Sequence, residues 1–369
     1  MNFKKQKRLL SQREEANAFR VLKEYKNLID FCSNDYLGLS RDGEEFKGLQ
    51  IKGSGGSRLL AGNYTQIVDF EGFLSKYHNT EEALMFNSGY NANVGFFSVV
   101  PQKGDTILYD ELIHASVKDG MRLSFAKSYS FKHNNIEDLE KKLRYAEGDV
   151  YVAVESVYSM DGDSAPLIDL ASFCEAKSLI LVVDEAHGIG VFGEGGEGLV
   201  QYLKLEEKVP VRIITFGKAV GAHGAAVLSN LTIKNFLINF CRSFIYTTAL
   251  PPYTIQSLSN SYLALRNGRL TIQLKEKIRL FKAQFTKIES EKIISSDSSI
   301  QCVLFPGNEI VIKVSLFLNT AGFYVKPVLS PTVKKGKERI RICIHTFNTN
   351  NQIIDLANAI KLQIAQARN

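Results

Sequence analysis

Leu179-Ile180-Leu181-Val182-Val183-Asp184-Glu185-Ala186-His187-Gly188 is a run of branched aliphatic residues that turns abruptly to charge. A run without polar alternation reads as a short strand buried on both faces, the habit of a parallel sheet covered by helices. Val211-Arg212-Ile213-Ile214-Thr215-Phe216-Gly217-Lys218-Ala219-Val220-Gly221 repeats the theme, its β-branched run ending in glycine and lysine. Open α/β sheets bind ligands at the carboxyl ends of their strands. Asp184 and Lys218, 34 residues apart, are therefore expected to present a carboxylate and an amine at such an edge.

Working outward, strand-like runs alternate with helical stretches from about residue 65 to 250, which predicts a mostly parallel sheet wrapped by helices. The clearest strands are Thr106–Tyr109, Val150–Glu155, Leu179–Asp184, Arg212–Phe216 and Ala225–Leu228. Residues 1 to about 30 read as helical, with Leu9, Leu10, Ala16, Phe19 and Leu22 set among charges, and Gly53–Arg58 reads as a flexible loop. Pro251-Pro252 interrupts the alternation and marks a boundary. A long helical region follows, then the alternating Arg339–Ile344 and a last helix from about Asn351. The expected organisation is an amino-terminal segment over 1–50, a large domain over 51–252 and a smaller α+β domain over 253–369.

The net charge of +6 comes from scattered lysines, densest at Lys4-Lys5-Gln6-Lys7-Arg8. It lacks the basic stripe and interleaved aromatics of a nucleic-acid surface. Asp184 and His187 interrupt the longest apolar stretch, so no membrane span is expected, and the first residues lack the apolar core of a signal peptide. The five cysteines are odd in number, far apart and without CxxC spacing. That pattern argues for a reducing cytoplasm and against a disulfide framework or zinc site.

Lys218 has apolar and glycine flanks, which would desolvate its amine, lower its pKa and make it a competent imine-forming nucleophile. A buried Asp184 requires a cationic partner, and a protonated pyridine nitrogen supplies one. Together they suggest a Schiff-base lysine and the acid that serves pyridoxal phosphate (PLP). His187, three residues past Asp184, could bond the cofactor's phenolic oxygen or assist proton transfer. His114 starts a helix after a strand and fits either a stacked imidazole or a satisfied helix-terminal histidine. Phe86–Asn93 is a turn into a helix whose first amides form a ready phosphate cradle. Ser159 follows another strand, in what could also be a plain polar turn. Thr215, Thr247 and Thr248 suit phosphate contacts or ordinary strand positions.

These segments resemble the α-oxoamine synthase family of PLP enzymes, from Ser33-Asn34-Asp35-Tyr36-Leu37-Gly38 through Ser159-Met160-Asp161-Gly162-Asp163 and Asp184-Glu185-Ala186-His187-Gly188 to Arg339-Ile340-Arg341. The resemblance implies a fold type I PLP-dependent transferase, α/β in class, with a large domain on a mostly parallel seven-stranded sheet flanked by helices and a smaller α+β carboxyl-terminal domain. The implied activity is a decarboxylating condensation of L-alanine with pimeloyl-CoA or pimeloyl-acyl carrier protein, on the route to biotin. Glycine acetyltransferase and serine palmitoyltransferase chemistries are the alternatives within the family.

The implied roles give Lys218 the cofactor imine, Asp184 the pyridine nitrogen, His114 the ring face, and His187 and Ser159 the phenolic oxygen. Gly89, Tyr90 and Thr215 would hold the phosphate, with Thr248 reaching it from the second subunit of a homodimer. Arg341, assisted by Asn34, would grip the amino-acid carboxylate, and Glu155 is a further active-site candidate. A catalytically silent subunit is the rival of a different class, and the joint presence of Lys218, Asp184, His114 and His187 argues against it. Ile67, Glu185 and Leu329 depart from residues common in relatives, and Leu329 bears on recognition of the acyl chain.

Overall fold

The computed structural model describes residues 3–17, 19–20, 22, 27–41 and 52–366. Two compact units emerge, one of Asn34–Ser159 with Asp163–Lys275, the other of Met1–Ser33, Met160–Gly162 and Glu276–Asn369. The expected boundary at 50/51 lies outside the described residues. The large unit continues past Pro252 to Lys275. Pro252 is the first residue of the helix Pro252–Arg266, where its missing N–H costs nothing and its fixed φ suits the first turn.

The large unit is built on seven strands: β1 (Glu82–Phe86), β2 (Thr106–Asp110), β3 (Lys127–Phe131), β4 (Val150–Glu155), β5 (Ile180–Asp184), β6 (Val211–Thr215) and β7 (Ala225–Ser229). Their spatial order is β1-β7-β6-β5-β4-β2-β3. Pairings from β6 across to β3 are parallel, and β7 runs antiparallel to both of its neighbours. The five strands expected from sequence form within a residue or so of their predicted bounds. β3, with the sequence Lys-Ser-Tyr-Ser-Phe, has no apolar run because it is an edge strand and mostly solvated. The buried face of the helix Gly89–Val99 sets Ala92, Phe96 and Phe97 among Leu84, Phe86, Ile107, Ala153, Val182, Ile213 and Val227. This layer of helix on sheet holds the strand ends in fixed register, with Glu155 opposite Asp184 and Asp184 opposite Ile213.

The smaller unit carries a four-stranded antiparallel sheet with Arg339–Cys343 between Lys326–Val328 and Ile300–Leu304, and with Ile293–Ile294 at the far edge. Helices Asn308–Thr320 and Asn350–Gln366 accompany it. The amino-terminal helix is shorter than expected, spanning Lys4–Glu15 rather than reaching residue 30. It stops at Asn17, which takes a left-handed φ of 50° and donates its N–H to the Glu14 carbonyl. Asparagine tolerates that conformation better than most residues. Farther on, Ile29–Asp30 forms a parallel pair with Phe323–Tyr324 of the same unit.

The loop at Gly53–Arg58, expected to be flexible, is pinned. Ser54 Oγ donates to the Ala249 carbonyl at 2.9 Å, and Arg58 makes a two-pronged ion pair with the buried Glu71 at 2.7 and 3.1 Å. No described helix is long and apolar enough to cross a membrane.

Candidate active site

The carboxyl ends of β4, β5 and β6 and the loops after β1 and β2 converge on a cavity of about 270 Å³ in the large unit. Lys218, Asp184, His187, His114, Gly89, Tyr90, Thr215, Asn34 and Glu155 all line it. The sequence separations among them reach 184 residues, and for Glu155, Asp184 and Thr215 it is the parallel register of their strands that aligns the ends.

Asp184 closes β5 and is buried. Its Oδ1 accepts the Ala186 N–H at 2.9 Å, and its Oδ2 accepts Asn93 Nδ2 at 2.7 Å. Asn93 stands one turn into the helix Gly89–Val99 and also donates to Ser116 Oγ at 3.0 Å. Lys218 lies just past β6, with its Nζ 2.7 Å from His187 Nε2. Amine, imidazole and carboxylate therefore share one partly desolvated space.

His114 caps the helix Ala115–Leu123, its Nδ1 accepting the Ser116 N–H at 3.3 Å and lying 2.7 Å from Ser116 Oγ. Burial lowers its pKa and the Lys218 charge adds to the effect, while Asp184 opposes both. The alternative seen in the sequence, a satisfied helix-terminal histidine, describes this cap, and the same ring also faces the cavity.

Glu155 ends β4 and is almost wholly buried. Burial pushes its carboxyl up to about 8; the Asp184 charge adds to the shift, and Lys218 and the N–H groups of Ser159 and His114 oppose it. A carboxylic acid, rather than a carboxylate, faces the cavity at neutral pH. Its raised pKa makes the native state the better proton binder, so stability falls as pH rises from 4.5 toward 8. Glu155→Gln should flatten that slope, which denaturation midpoints between pH 5 and 8.5 would measure; parallel profiles for the two proteins would contradict a buried acid.

Gly89 and Tyr90 open the helix Gly89–Val99, where the first amides have no intrahelical acceptor. Ser88 caps it, taking the Asn91 N–H at 3.2 Å. A Cβ on Gly89 would collide with the Thr215 side chain, so glycine keeps backbone amide and threonine in close approach.

The remaining expected site residues lie elsewhere. Ser159 is half-buried in the turn after β4 and meets the site through its N–H on Glu155. Thr248 is exposed, its carbonyl accepting Asn87 Nδ2 at 2.6 Å, and it does not line the cavity of its own chain. Arg341 belongs to the smaller unit, half-buried on Arg339–Cys343, and donates to Cys343 Sγ at 3.0 Å. Glu185 does not line the cavity; its carboxylate caps Leu199–Tyr202, accepting the Leu199 and Val200 N–H groups at 3.0 and 2.7 Å.

Sequence reasoning missed Asn93, Ser116 and His223 as lining residues, and it gave Tyr36 no role. Asn93 left a signal, a polar residue on the otherwise apolar buried face of its helix. His223 follows Gly221-Ala222 closely after Lys218, but one histidine in a loop carries no pattern.

The chain belongs to the aminotransferase class I and II family, whose model matches residues 26–360. Within that breadth it is 40% identical over 368 residues to a protein from Emericella nidulans named 8-amino-7-oxononanoate synthase, covering 90% of this chain and 88% of the relative. A solved 8-amino-7-oxononanoate synthase from Francisella tularensis superposes with a TM-score of 0.77 at 28% identity, covering 94% of this chain and all of the other. Serine palmitoyltransferase from S. paucimobilis, solved with a bound PLP–myriocin compound, gives 0.87 at 26% identity over 99% and 98% of the two chains.

Proposed function

We propose that this chain is a PLP-dependent acyltransferase that joins L-alanine to a pimeloyl thioester, releasing carbon dioxide and the free thiol carrier and yielding 8-amino-7-oxononanoate for biotin synthesis. The observation that carries this reading is the single cavity in which Lys218, Asp184, His187 and His114 face one another. The names of the relatives support the choice of alanine and a pimeloyl group.

The residues fit PLP. Asn93 Oδ1 and Glu155 Oε1 are buried oxygens without a partner in the protein, and both residues line the cavity. Gly89 and Thr215 form a tight cradle at a helix start, a setting made for a phosphate. PLP, when bound, supplies an electron sink for the carbanion at the substrate α-carbon.

Lys218 would supply the amine that holds the cofactor, and its Nζ would be the base that takes the substrate α-proton. Asp184, fixed by Asn93 and Ala186, keeps a proton on the ring nitrogen. His114 would cover the ring face and could donate to the acyl carbonyl. His187 and Ser159 serve the phenolic oxygen. Gly89, Tyr90 and Thr215 hold the phosphate, with Thr248 of a second copy completing it in a homodimer. Arg341 offers its planar fork to the amino-acid carboxylate.

The test is a substrate panel on the purified holoenzyme: alanine, glycine and serine, each with pimeloyl-, acetyl- and palmitoyl-CoA, followed by thiol and carbon dioxide release. Alanine with pimeloyl-CoA should lead in kcat/KM by about tenfold or more, the scale set by a few methylenes in an apolar pocket. A preference for serine with palmitoyl-CoA would replace this reading with that of the other structural relative.

A further inference from the structure

Four of the residues that line the cavity have side chains able to carry positive charge: Lys218, His114, His187 and His223. The first three have parts in the proposed chemistry, at the amine, the ring face and the phenolic oxygen. His223 has none. It is exposed at the cavity wall, and among the described residues its ring has no hydrogen-bond or ion-pair partner. Its place in the chain is fixed by the strand that follows. Ala225, the first residue of β7, pairs with Phe86 at the end of β1 and with Thr215 at the end of β6. The Phe216 N–H donates to the Gly224 carbonyl at 3.0 Å, and a Cβ on Gly224 would lie 3.1 Å from the Phe86 carbonyl oxygen. His223 therefore stands where the ends of β1 and β6 come together, and Gly89 and Thr215 of the tight cradle belong to those same two ends.

We propose that His223 is a further cofactor-binding residue, whose imidazole donates an N–H to a phosphate oxygen held beside Gly89 and Thr215. The inference rests on the reading of this cavity as a PLP site. A phosphate monoester carries a charge of about −1.5 to −2 at pH 7 and three strong acceptor oxygens. The amides that open the helix Gly89–Val99 and the Thr215 hydroxyl answer it with dipoles, not with a full charge. An imidazole keeps at least one N–H in either protonation state, so His223 can donate to the phosphate whether or not it is charged. Lys218 is not available for this work, because its amine holds the cofactor at the other end.

The experiment titrates PLP, and pyridoxal, which lacks the phosphate, into full-length wild type, His223→Ala and His223→Gln freed of cofactor, and reads the Lys218-linked absorbance band. His223→Ala should weaken PLP about fivefold or more, the scale of a partly solvated hydrogen bond to an anion, and leave pyridoxal unchanged. His223→Gln keeps an N–H to donate and should lose less. The side chain is exposed, so neither substitution removes core packing. Equal losses for PLP and pyridoxal, or no loss for PLP, overturn the proposal. So does unchanged PLP affinity with a raised KM for pimeloyl-CoA, which would put the imidazole on a phosphate of the thioester carrier. A wild type that forms no Lys218-linked band would remove the PLP reading, and inorganic phosphate then decides the role of His223. Histidine-selective 15N shifts at His223 on adding phosphate, absent with chloride at equal ionic strength, would keep it as a phosphate ligand; no shift would overturn it.

Discussion

Lys218→Ala should bind pyridoxal phosphate without covalent attachment, lose the visible band that shifts on adding alanine, and lose turnover by about 10⁴-fold or more. The magnitude follows from two losses at one atom. The amine is both the covalent anchor and the base at the α-carbon, and a positioned base alone is worth about 10²–10⁴. Nothing else in the cavity replaces it: His187 Nε2 is 2.7 Å from the missing Nζ, but an imidazole cannot form the imine. Stability should change little, because the cavity wall around Lys218 is held by β5, β6 and β7 and not by the amine. Absorbance scans and single-turnover proton exchange of alanine check the two losses separately. Turnover within tenfold of wild type would remove Lys218 from the chemistry.

The parts of the fold legible in the sequence were those where burial on both faces leaves an unmixed apolar run. β4 and β5 show it, β6 shows it apart from Arg212, and each ends on a polar group, Glu155, Asp184 or Thr215. Lys218 and His187 could be placed because they follow such runs within a few residues. The edge strand β3 could not, since one pairing and a solvated surface ask little of its side chains. The hydrogen-bonded web behind the site was equally hidden. Tyr36 meets His187 across 151 residues, and Asn93 meets Asp184 across 91, distances over which residue types alone specify no partner. The pairing of Ile29–Asp30 with Phe323–Tyr324 escaped for the same reason: two residues make no periodicity.

His133→Ala should cost about 3–5 kcal/mol at pH 7, the usual price of leaving a buried charge without its partner. The imidazole lies between two carboxylates, Nδ1 at 3.0 Å from both Asp110 oxygens and Nε2 at 2.8 Å from Asp163. Burial opposes its charge, but the hydrogen bonds and charges of Asp110 and Asp163 outweigh burial and raise the ring to about 10. Asp110, at the end of β2, is wholly buried, so alanine at 133 would strand its carboxylate. Asn134 ties the same two acids, its N–H to Asp110 and its side-chain amide to Asp163, both at 2.9 Å. The group therefore clamps the loop that leads to His114 against the turn that carries Ser159 and Asp163. For a histidine whose folded pKa is raised, the stabilisation is complete below its unfolded value near 6.5 and disappears as pH climbs through about 10. The gap between wild type and His133→Ala in denaturant midpoint should accordingly be widest near pH 6 and narrow steadily toward pH 10.5. A gap that stays constant over that range would mean that the ring's packing edge-on against Tyr158, centroids 4.4 Å apart, rather than its charge, holds the two loops together.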